Sequence, residues 1–195
     1  MLLAACSGTT DDEVVDPSHE ARDELSLHGD QFCPSILPRA PRETYGFGTG
    51  ERATELPSFP TIDEAWLCTY ESRDVAPAGS NGAWLEWARE GEPRQLSPDE
   101  VASFSDDLRS LEPLDDGDLV CDADLGPRFV VSFAREGDLT GVVVDDHGCG
   151  SVRLTDDPFV TVPGDASQPG TVTGLLVRPA GLLAALGVGR DRPAS

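Results

Sequence analysis

The strongest constraint on how this chain folds is a single amphipathic helix with a clear start signal, within residues 97–111. In "SPDEVASFSDDLRSL", Ser97 is followed by Pro98 and then by Glu100, the order of an N-cap, a first helical position and a capping box. Apolar residues then recur every three or four positions on one helix face, at Val101, Phe104, Leu108 and Leu111. Pro113 prevents the helix from continuing. One principal helix is therefore available to pack on whatever the other segments build.

Two segments with the alternation of strands precede this helix. "EAWLCTYE" places Trp66, Cys68 and Tyr70 on one face, and "AWLEWARE" places Leu85 and Trp87 on one side. The stretch "AGSNG" between them consists mainly of residues that favour turns. We therefore predict two strands joined by a turn.

The segments after the helix predict a second set of strands. "PRFVVSFARE" and "LTGVVVDD" indicate a hairpin with its turn at Gly137 and Asp138, and with Phe129, Val131 and Phe133 facing the core. "SVRLTD" is expected to add a short strand, and "AGLLAAL" a short terminal helix. The predicted fold class is therefore α+β, an antiparallel sheet with one principal helix and a short C-terminal helix.

The charge of the chain argues against two classes of partner. Thirty-six acidic residues against fourteen basic ones give a net charge of −22. Nucleic acid is excluded as a partner because its phosphates are bound by neutralising them with basic side chains. The same charge opposes adsorption to an anionic membrane surface. Strong acidity is typical of a soluble surface and does not by itself identify a partner.

The start of the chain contains a short motif that bears on where the protein is located. Leu3-Ala4-Ala5-Cys6 resembles the lipobox of bacterial lipoproteins, in which an apolar residue and two small residues precede a cysteine. The resemblance implies that Cys6 receives a diacylglyceryl group and becomes the N-terminus after cleavage, so that the acyl chains hold the protein on a bilayer. Because a signal peptide needs a charged start and an apolar core, we expect the true start to lie upstream of Met1. All fourteen basic residues are Arg, which is typical of a high-GC actinobacterial genome.

The remaining sequence divides into a tether, one domain and a tail. Residues 1–5 are the expected remnant of the signal peptide, and residues 6–31 are predicted to form an acidic disordered tether, because they have hardly any apolar periodicity. We predict a single globular domain over residues 32–188 and a disordered tail over 189–195.

Four further cysteines predict disulfides in an exported chain. Cys33, Cys68, Cys121 and Cys149 allow three pairings. We favour Cys33–Cys68 and Cys121–Cys149, hence two disulfides, because sequential pairing closes the shortest loops. Zinc binding is disfavoured because the chain contains no C-x-x-C pair.

The chain offers little that resembles a catalytic centre. His19 and His28 fall in the predicted tether, and His147 lies beside Asp145 and Asp146 in a sequence that turn formation explains equally well. A G-x-S-x-G nucleophile elbow is absent from the sequence. We therefore assign no catalytic residues, no metal ligands and no cofactor.

Three other patterns have an ordinary explanation beside a functional one. Calcium would suit the acidic stretch formed by Asp115, Asp116, Asp118, Asp122 and Asp124, but the EF-hand spacing is not met. Trp66, Trp84 and Trp87 have the ring area for sugar stacking, although at strand spacing such rings are more often core. The alternation of Gly46, Gly48 and Gly50 lacks the spacing of a phosphate cradle and indicates a flexible loop.

Together these features predict a lipid-anchored extracytoplasmic protein on the outer face of the cytoplasmic membrane. Its expected role is a non-catalytic binding module at the cell envelope, with an envelope protein or glycan as partner. The alternative is an extracytoplasmic hydrolase of envelope polymers that uses Asp and Glu carboxylates. A calcium-dependent structural module is a third reading.

Overall fold

An antiparallel sheet forms the framework of the protein. The structure, a computed structural model, describes residues 23–39, 48–75, 84–114, 126–146, 150–168 and 170–188. Within these ranges the strands are β1 (Trp66–Val75), β2 (Trp84–Gln95), β3 (Glu112–Pro113), β4 (Arg128–Arg135), β5 (Asp138–Asp145), β6 (Ser151–Thr155) and β7 (Leu176–Val177). The helices in the same ranges are α1 (Glu24–Leu27), α2 (Pro98–Leu108) and α3 (Leu182–Ala185).

The order of the strands explains the position of the principal helix. The sheet runs β2-β1-β4-β5-β6-β7-β3, and neighbouring strands pair antiparallel. β2 and β3 lie at opposite edges, and α2 is the element that connects them in sequence. α2 therefore crosses one face of the sheet, where it also contacts α3. This arrangement confirms the α+β prediction of an antiparallel sheet with few helices.

The helix-covered face holds the larger core. Val101, Phe104 and Leu108 of α2 are buried with Leu111 against the sheet, as their spacing predicted. Five strands of the sheet, β1, β4, β5, β6 and β7, contribute side chains to this core, including Phe129, Val131, Phe133, Val142, Val144, Val152 and Leu154. The capping box is confirmed, because Ser97 accepts from the Glu100 amide and Glu100 accepts from the Ser97 amide.

The opposite face is also buried, but neither α2 nor α3 contributes to its core. Cys68 of β1 is bonded to Cys33, whose side chain packs on this face. The chain then runs along the outer edge of β2, where Ile36 forms an antiparallel bridge with Ala88. There Leu37 N donates to the Trp87 carbonyl at 3.0 Å and Arg89 N donates to the Ser35 carbonyl at 2.9 Å. The Cys33–Cys68 disulfide is thus as predicted, whereas Cys121 and Cys149 lie outside the described residues.

Local differences from the sequence-based expectations have simple causes. The β4–β5 turn is centred on Glu136 and Gly137, one residue earlier than predicted, and both have positive φ, at 53° and 92°. A tight hairpin turn of this kind has positive φ at both central residues, which here are Glu136 and Gly137. β7 contains only two residues, Leu176 and Val177.

The predicted tether boundary at residue 31 does not match the described part of that segment. Residues 24–27 form α1, and the side chain of Glu24 is buried. The Glu24 carboxylate accepts from the Leu139 amide of β5 at 3.1 Å. The segment showed no apolar periodicity because polar contacts dock it, and hydrophobic patterning does not report such contacts.

Candidate functional site

A row of polar side chains crosses the second face of the sheet. The strand register places Arg89 of β2 opposite Tyr70 of β1, and Tyr70 opposite Arg128 of β4. Arg128 in turn lies opposite Asp145, the last residue of β5. Arg128 and Asp145 are 5% and 4% exposed, so this row carries charge inside the protein. Buried charge is rare unless it is paired, which makes the row the first place to look for function.

Asp145 is the centre of this row. Its Oδ1 lies 2.8 Å from Nε of Arg128, an ion pair rather than a well-aligned hydrogen bond. Its Oδ2 accepts from the Ser151 hydroxyl at 2.6 Å and from the Arg153 guanidinium at 2.8 Å. Both oxygens are therefore engaged by cationic or hydroxyl groups of neighbouring strands. A carboxylate held in this way stabilises the fold and is poorly placed to exchange a proton with a substrate.

Aromatic residues enclose the other end of the row. The guanidinium carbon of Arg128 lies 3.5 Å from the centroid of the Trp87 ring, a cation–π contact. The hydroxyl of Tyr70 donates to the Pro34 carbonyl at 2.7 Å, and burial raises the pKa of this phenol. Trp66 stacks on Phe32 with ring centroids 3.6 Å apart. Trp66 and Trp87 are thus packed side chains, and the sugar platform is not formed by these two rings.

The loop around Gly48, which was predicted to be flexible, contacts the same row of polar side chains. Arg153 donates from Nε to the Thr49 carbonyl at 2.9 Å, in addition to its bond to Asp145. The preceding residue, Gly48, is buried and has φ of 50°. A Cβ at this position would lie 2.7 Å from the Pro163 carbonyl oxygen, closer than real contacts allow. The expectation of an ordinary flexible loop is therefore wrong for Gly48, while Gly46 lies outside the described residues.

A second polar cluster lies where α1 meets the sheet. Nε2 of His28 is 3.1 Å from Oδ2 of Asp157, and the imidazole stacks on Phe159 with ring centroids 3.9 Å apart. The Glu24 carboxyl lies in the same region, and its pKa is raised mainly by burial. Carboxylates of Asp157, Asp138 and Asp156 raise that pKa further, against the lowering effect of the Leu139 amide. His28 is therefore held by the structure and is not part of an unstructured tether.

A shallow groove of about 290 Å³ runs beside α2. Its walls are formed by the segment 57–62 and by one side of the helix, with the lining residues Pro57, Ser58, Phe59, Pro60, Ile62, Ser105, Leu108 and Arg109. No Asp or Glu lines this groove. It is therefore not a site for two-carboxylate chemistry.

Several of the residues that the sequence singled out lie outside the described part of the chain. Asp145 and Asp146 are described, whereas His147 and the acidic stretch from Asp115 to Asp124 lie outside the described residues, as does Cys6. Within the described part, no group of three or more His, Cys, Asp or Glu side chains is arranged to hold a metal ion. In that same part, no helix has the length and apolar character needed to cross a membrane.

The chain has no detectable similarity to known proteins in three comparisons. No protein-family model, no curated protein and no solved structure matched it. The functional interpretation therefore depends on the residues themselves.

Sequence reasoning did not identify Arg128, Arg153 or Glu24 as members of buried clusters. The sequence did contain one signal for Arg128. It is the charged first residue of "RFVVSF", a largely apolar run of the kind expected for a strand that is buried on both faces. An Arg at the start of such a run must bring its own counter-charge. The position of that counter-charge, Asp145, depends on the register of β4 and β5, which the sequence does not specify to one residue.

Replacing Asp145 by Asn tests whether the row is a structural requirement. We expect D145N to lower the free energy of unfolding by about 3–5 kcal/mol, because removal of one partner leaves buried guanidinium charge uncompensated. The measurement is urea-induced unfolding, monitored by circular dichroism. The matched control is D106N, since Asp106 pairs with Arg109 on the exposed face of α2 and its side chain is 80% exposed.

We expect loss of the exposed Asp106–Arg109 pair in D106N to lower the free energy of unfolding by about 0–1 kcal/mol. Equal losses in D145N and D106N would show that the buried row contributes no more than a surface ion pair.

Proposed function

We propose that the chain is a lipid-anchored extracytoplasmic protein whose globular domain acts as a non-catalytic binding module at the cell envelope. In this proposal the anchor is a diacylglyceryl group on Cys6, and the protein lies on the outer face of the cytoplasmic membrane. The partner is an envelope protein or a glycan. The observation that carries the proposal is the Cys33–Cys68 disulfide.

A disulfide supports the extracytoplasmic part of this proposal. Structural disulfides form and persist in oxidising compartments and are rare where glutathione and thioredoxin keep thiols reduced. The Cys33–Cys68 bond is fully buried and holds the segment that covers the second face of the sheet. The disulfide and the lipobox-like Leu3-Ala4-Ala5-Cys6 both favour an envelope location, and they do so through different residues.

Two buried carboxylates of the described residues are held by neighbouring groups. The Asp145 carboxylate is saturated by Arg128, Arg153 and Ser151. Glu24 has a raised pKa, but its carboxylate is committed to the Leu139 amide. A hydrolase would need two free carboxylates flanking a cleft. The alternative of an Asp/Glu hydrolase therefore gains no support from the described part of the chain.

The second predicted disulfide belongs to the same proposal. Since Cys33 is bonded to Cys68, the remaining intramolecular pairing is Cys121–Cys149. Cys121 precedes Arg128 by seven residues and Cys149 follows Asp145 by four, and these two strand ends are direct neighbours in the sheet. At ~3.3–3.6 Å per residue, both connections are long enough to let the sulfurs meet.

The pairing is tested by non-reducing peptide mapping of secreted or refolded protein. We expect one crosslinked peptide that contains Cys33 and Cys68 and a second that contains Cys121 and Cys149. Alkylation of Cys121 and Cys149 as free thiols in the non-reduced sample would contradict the second disulfide.

The anchor is tested in a high-GC Gram-positive host that expresses the chain behind a lipoprotein signal peptide. We expect wild-type protein in the membrane fraction after a high-salt wash, labelled by a clickable fatty acid, and C6A in the soluble fraction without label. The control is S7A, which keeps the thiol and should remain in the membrane fraction. Membrane retention of C6A after the wash would overturn the anchor.

The binding role is tested by thermal unfolding of the 195-residue chain with purified peptidoglycan fragments and with arabinogalactan fragments. A ligand bound by the native state alone stabilises it by RT ln(1 + [L]/Kd), about 2.7 kcal/mol at a hundredfold excess over Kd. We expect a saturable rise in Tm with one glycan class and no change in the glycan during incubation, as judged by mass spectrometry. Breakdown of the glycan would replace the binding role by hydrolysis. If no glycan shifts Tm, the glycan is eliminated as partner.

A further inference from the structure

The groove beside α2 is lined by apolar side chains that also belong to the main core. Leu108 is buried, and Phe59 and Ile62 are partly buried and packed against the larger core cluster. Phe59 is held edge-to-face against Phe133, with ring centroids 6.5 Å apart. The volume of about 290 Å³ lies at the low end of ligand pockets, which measure ~300–1,000 Å³. The groove therefore suits an inserted side chain rather than a whole folded element.

The apolar surface continues outside the groove. Leu56 directly precedes Pro57, one of the lining residues, and is 57% exposed. A single exposed leucine is ordinary, but apolar surface that continues from a groove is typical of an interaction site.

The segment that forms one wall of the groove has unpaired backbone groups. Within the described part of the chain, residues 54–64 make no hydrogen bond to any other backbone group. Pro57 and Pro60 restrict the conformation of this wall, whereas Ser58 and Ile62 each offer a backbone N–H and a carbonyl. An extended peptide brings N–H and carbonyl groups that can pair with them, whereas the backbone groups of a helix are already bonded to one another. The wall therefore favours an extended peptide as occupant.

The charges around the groove are mainly negative. Arg109 is a lining residue, but its guanidinium already donates to Asp106 at 2.6 Å. The lining segment is preceded by Glu55 and followed directly by Asp63 and Glu64, and all three are exposed. The whole chain carries a net charge of −22, which opposes the approach of a second copy. Charge complementarity therefore favours a basic partner.

We propose that the groove between residues 57–62 and α2 binds an extended, basic segment of an envelope protein. One apolar side chain of that segment enters the groove, and flanking Arg or Lys side chains contact Glu55 and Asp63. The inserted side chain supplies most of the affinity, and the charges set orientation and association rate. This site rests on the binding role proposed above and selects a protein rather than a glycan as its partner.

The first test selects peptides without assuming a sequence. A random heptapeptide phage library is panned on the full 195-residue chain at about 0.15 M salt, where long-range charge effects are largely screened. We expect enrichment of peptides in which an apolar residue lies between basic residues. The consensus peptide is then synthesised, and its Kd is measured by fluorescence anisotropy. No enrichment, or a consensus without basic residues, would overturn the proposal.

Two charge reversals separate the groove from the general acidity of the surface. Arg109 and Arg73 are both exposed, at 71% and 56% of their side chains, and each pairs with one acidic residue. R109E and R73E therefore change the net charge equally, but only R109E does so in the groove. We expect R109E to bind the consensus peptide about threefold or more tighter, the effect of one or two exposed charge pairs, and R73E to match wild type. Equal tightening in both variants would overturn the groove as the site.

A second pair of variants tests insertion into the groove. Ser105 lines the groove, and its hydroxyl donates to the Val101 carbonyl at 2.7 Å. S105Y fills the groove, so we expect Kd to rise about tenfold or more. The control is S110Y, because Ser110 is exposed and does not line the groove. Wild-type affinity in a folded S105Y, as judged by circular dichroism, would overturn the proposal; if S105Y does not fold, the comparison of R109E with R73E decides.

Failure of this site and failure of the binding role give different results. A glycan that raises Tm, without any groove-dependent peptide, would overturn the groove site and leave the binding role intact. Breakdown of the glycan would overturn the non-catalytic role and leave a groove-dependent peptide interaction intact.

Discussion

The Cys33–Cys68 disulfide supports a sheet face that the two helices packed on the sheet do not cover. α2 and α3 lie on one side of the sheet, whereas β4 and β5 are buried on both sides. Cover for the second face comes from irregular chain, which has no helical hydrogen bonds of its own to keep it in place. Closing a loop of 35 residues restricts the unfolded chain by about 4 kcal/mol in the chain-entropy description. The bond therefore makes a thin, loop-built layer stable enough to exclude water from the sheet.

Such a layer has few large apolar residues, and buried polar contacts take their place. The Arg128–Asp145 ion pair, on the neighbouring strands β4 and β5, is one such buried polar contact. Removing ions from water costs several kcal/mol each, so a buried pair adds little net stability compared with apolar residues of the same size. It does impose geometry, because a misplaced strand would leave the charges unpaired. We infer that the Asp145 row contributes more to the register of β4, β5 and β6 than to overall stability.

Sequence reasoning worked where structure is local and failed where it depends on distant partners. The capping box at Ser97 and Glu100 and the stripe on α2 involve residues within a few positions of one another, and both were predicted correctly. The two-sided burial of β4 was not, since alternation of Phe129, Val131 and Phe133 explained one face and left Val130 and Ser132 unassigned. Of the polar clusters, sequence reasoning considered Asp145, but as a neighbour of His147 rather than of Arg128. α1 was missed because Glu24 and His28 make contacts with residues more than a hundred positions away.

The arginines show how an acidic chain with fourteen basic residues uses its few cations. Arg153 bonds Asp145 and the Thr49 carbonyl, Arg94 bonds Glu100 and the Leu186 carbonyl, and Arg89 bonds the Cys33 carbonyl. Each of these guanidiniums links segments that are distant in sequence, and the first two do so by donating in two directions at once. A lysine ammonium is a single, strongly hydrated point charge and would not reproduce these fixed forks. With fourteen basic residues against thirty-six acidic ones, the chain keeps a net charge of −22. A surface of that charge is repelled by anionic lipid headgroups, so an anchored domain would be held away from the membrane by its own charge within about a Debye length, ~8 Å at physiological salt.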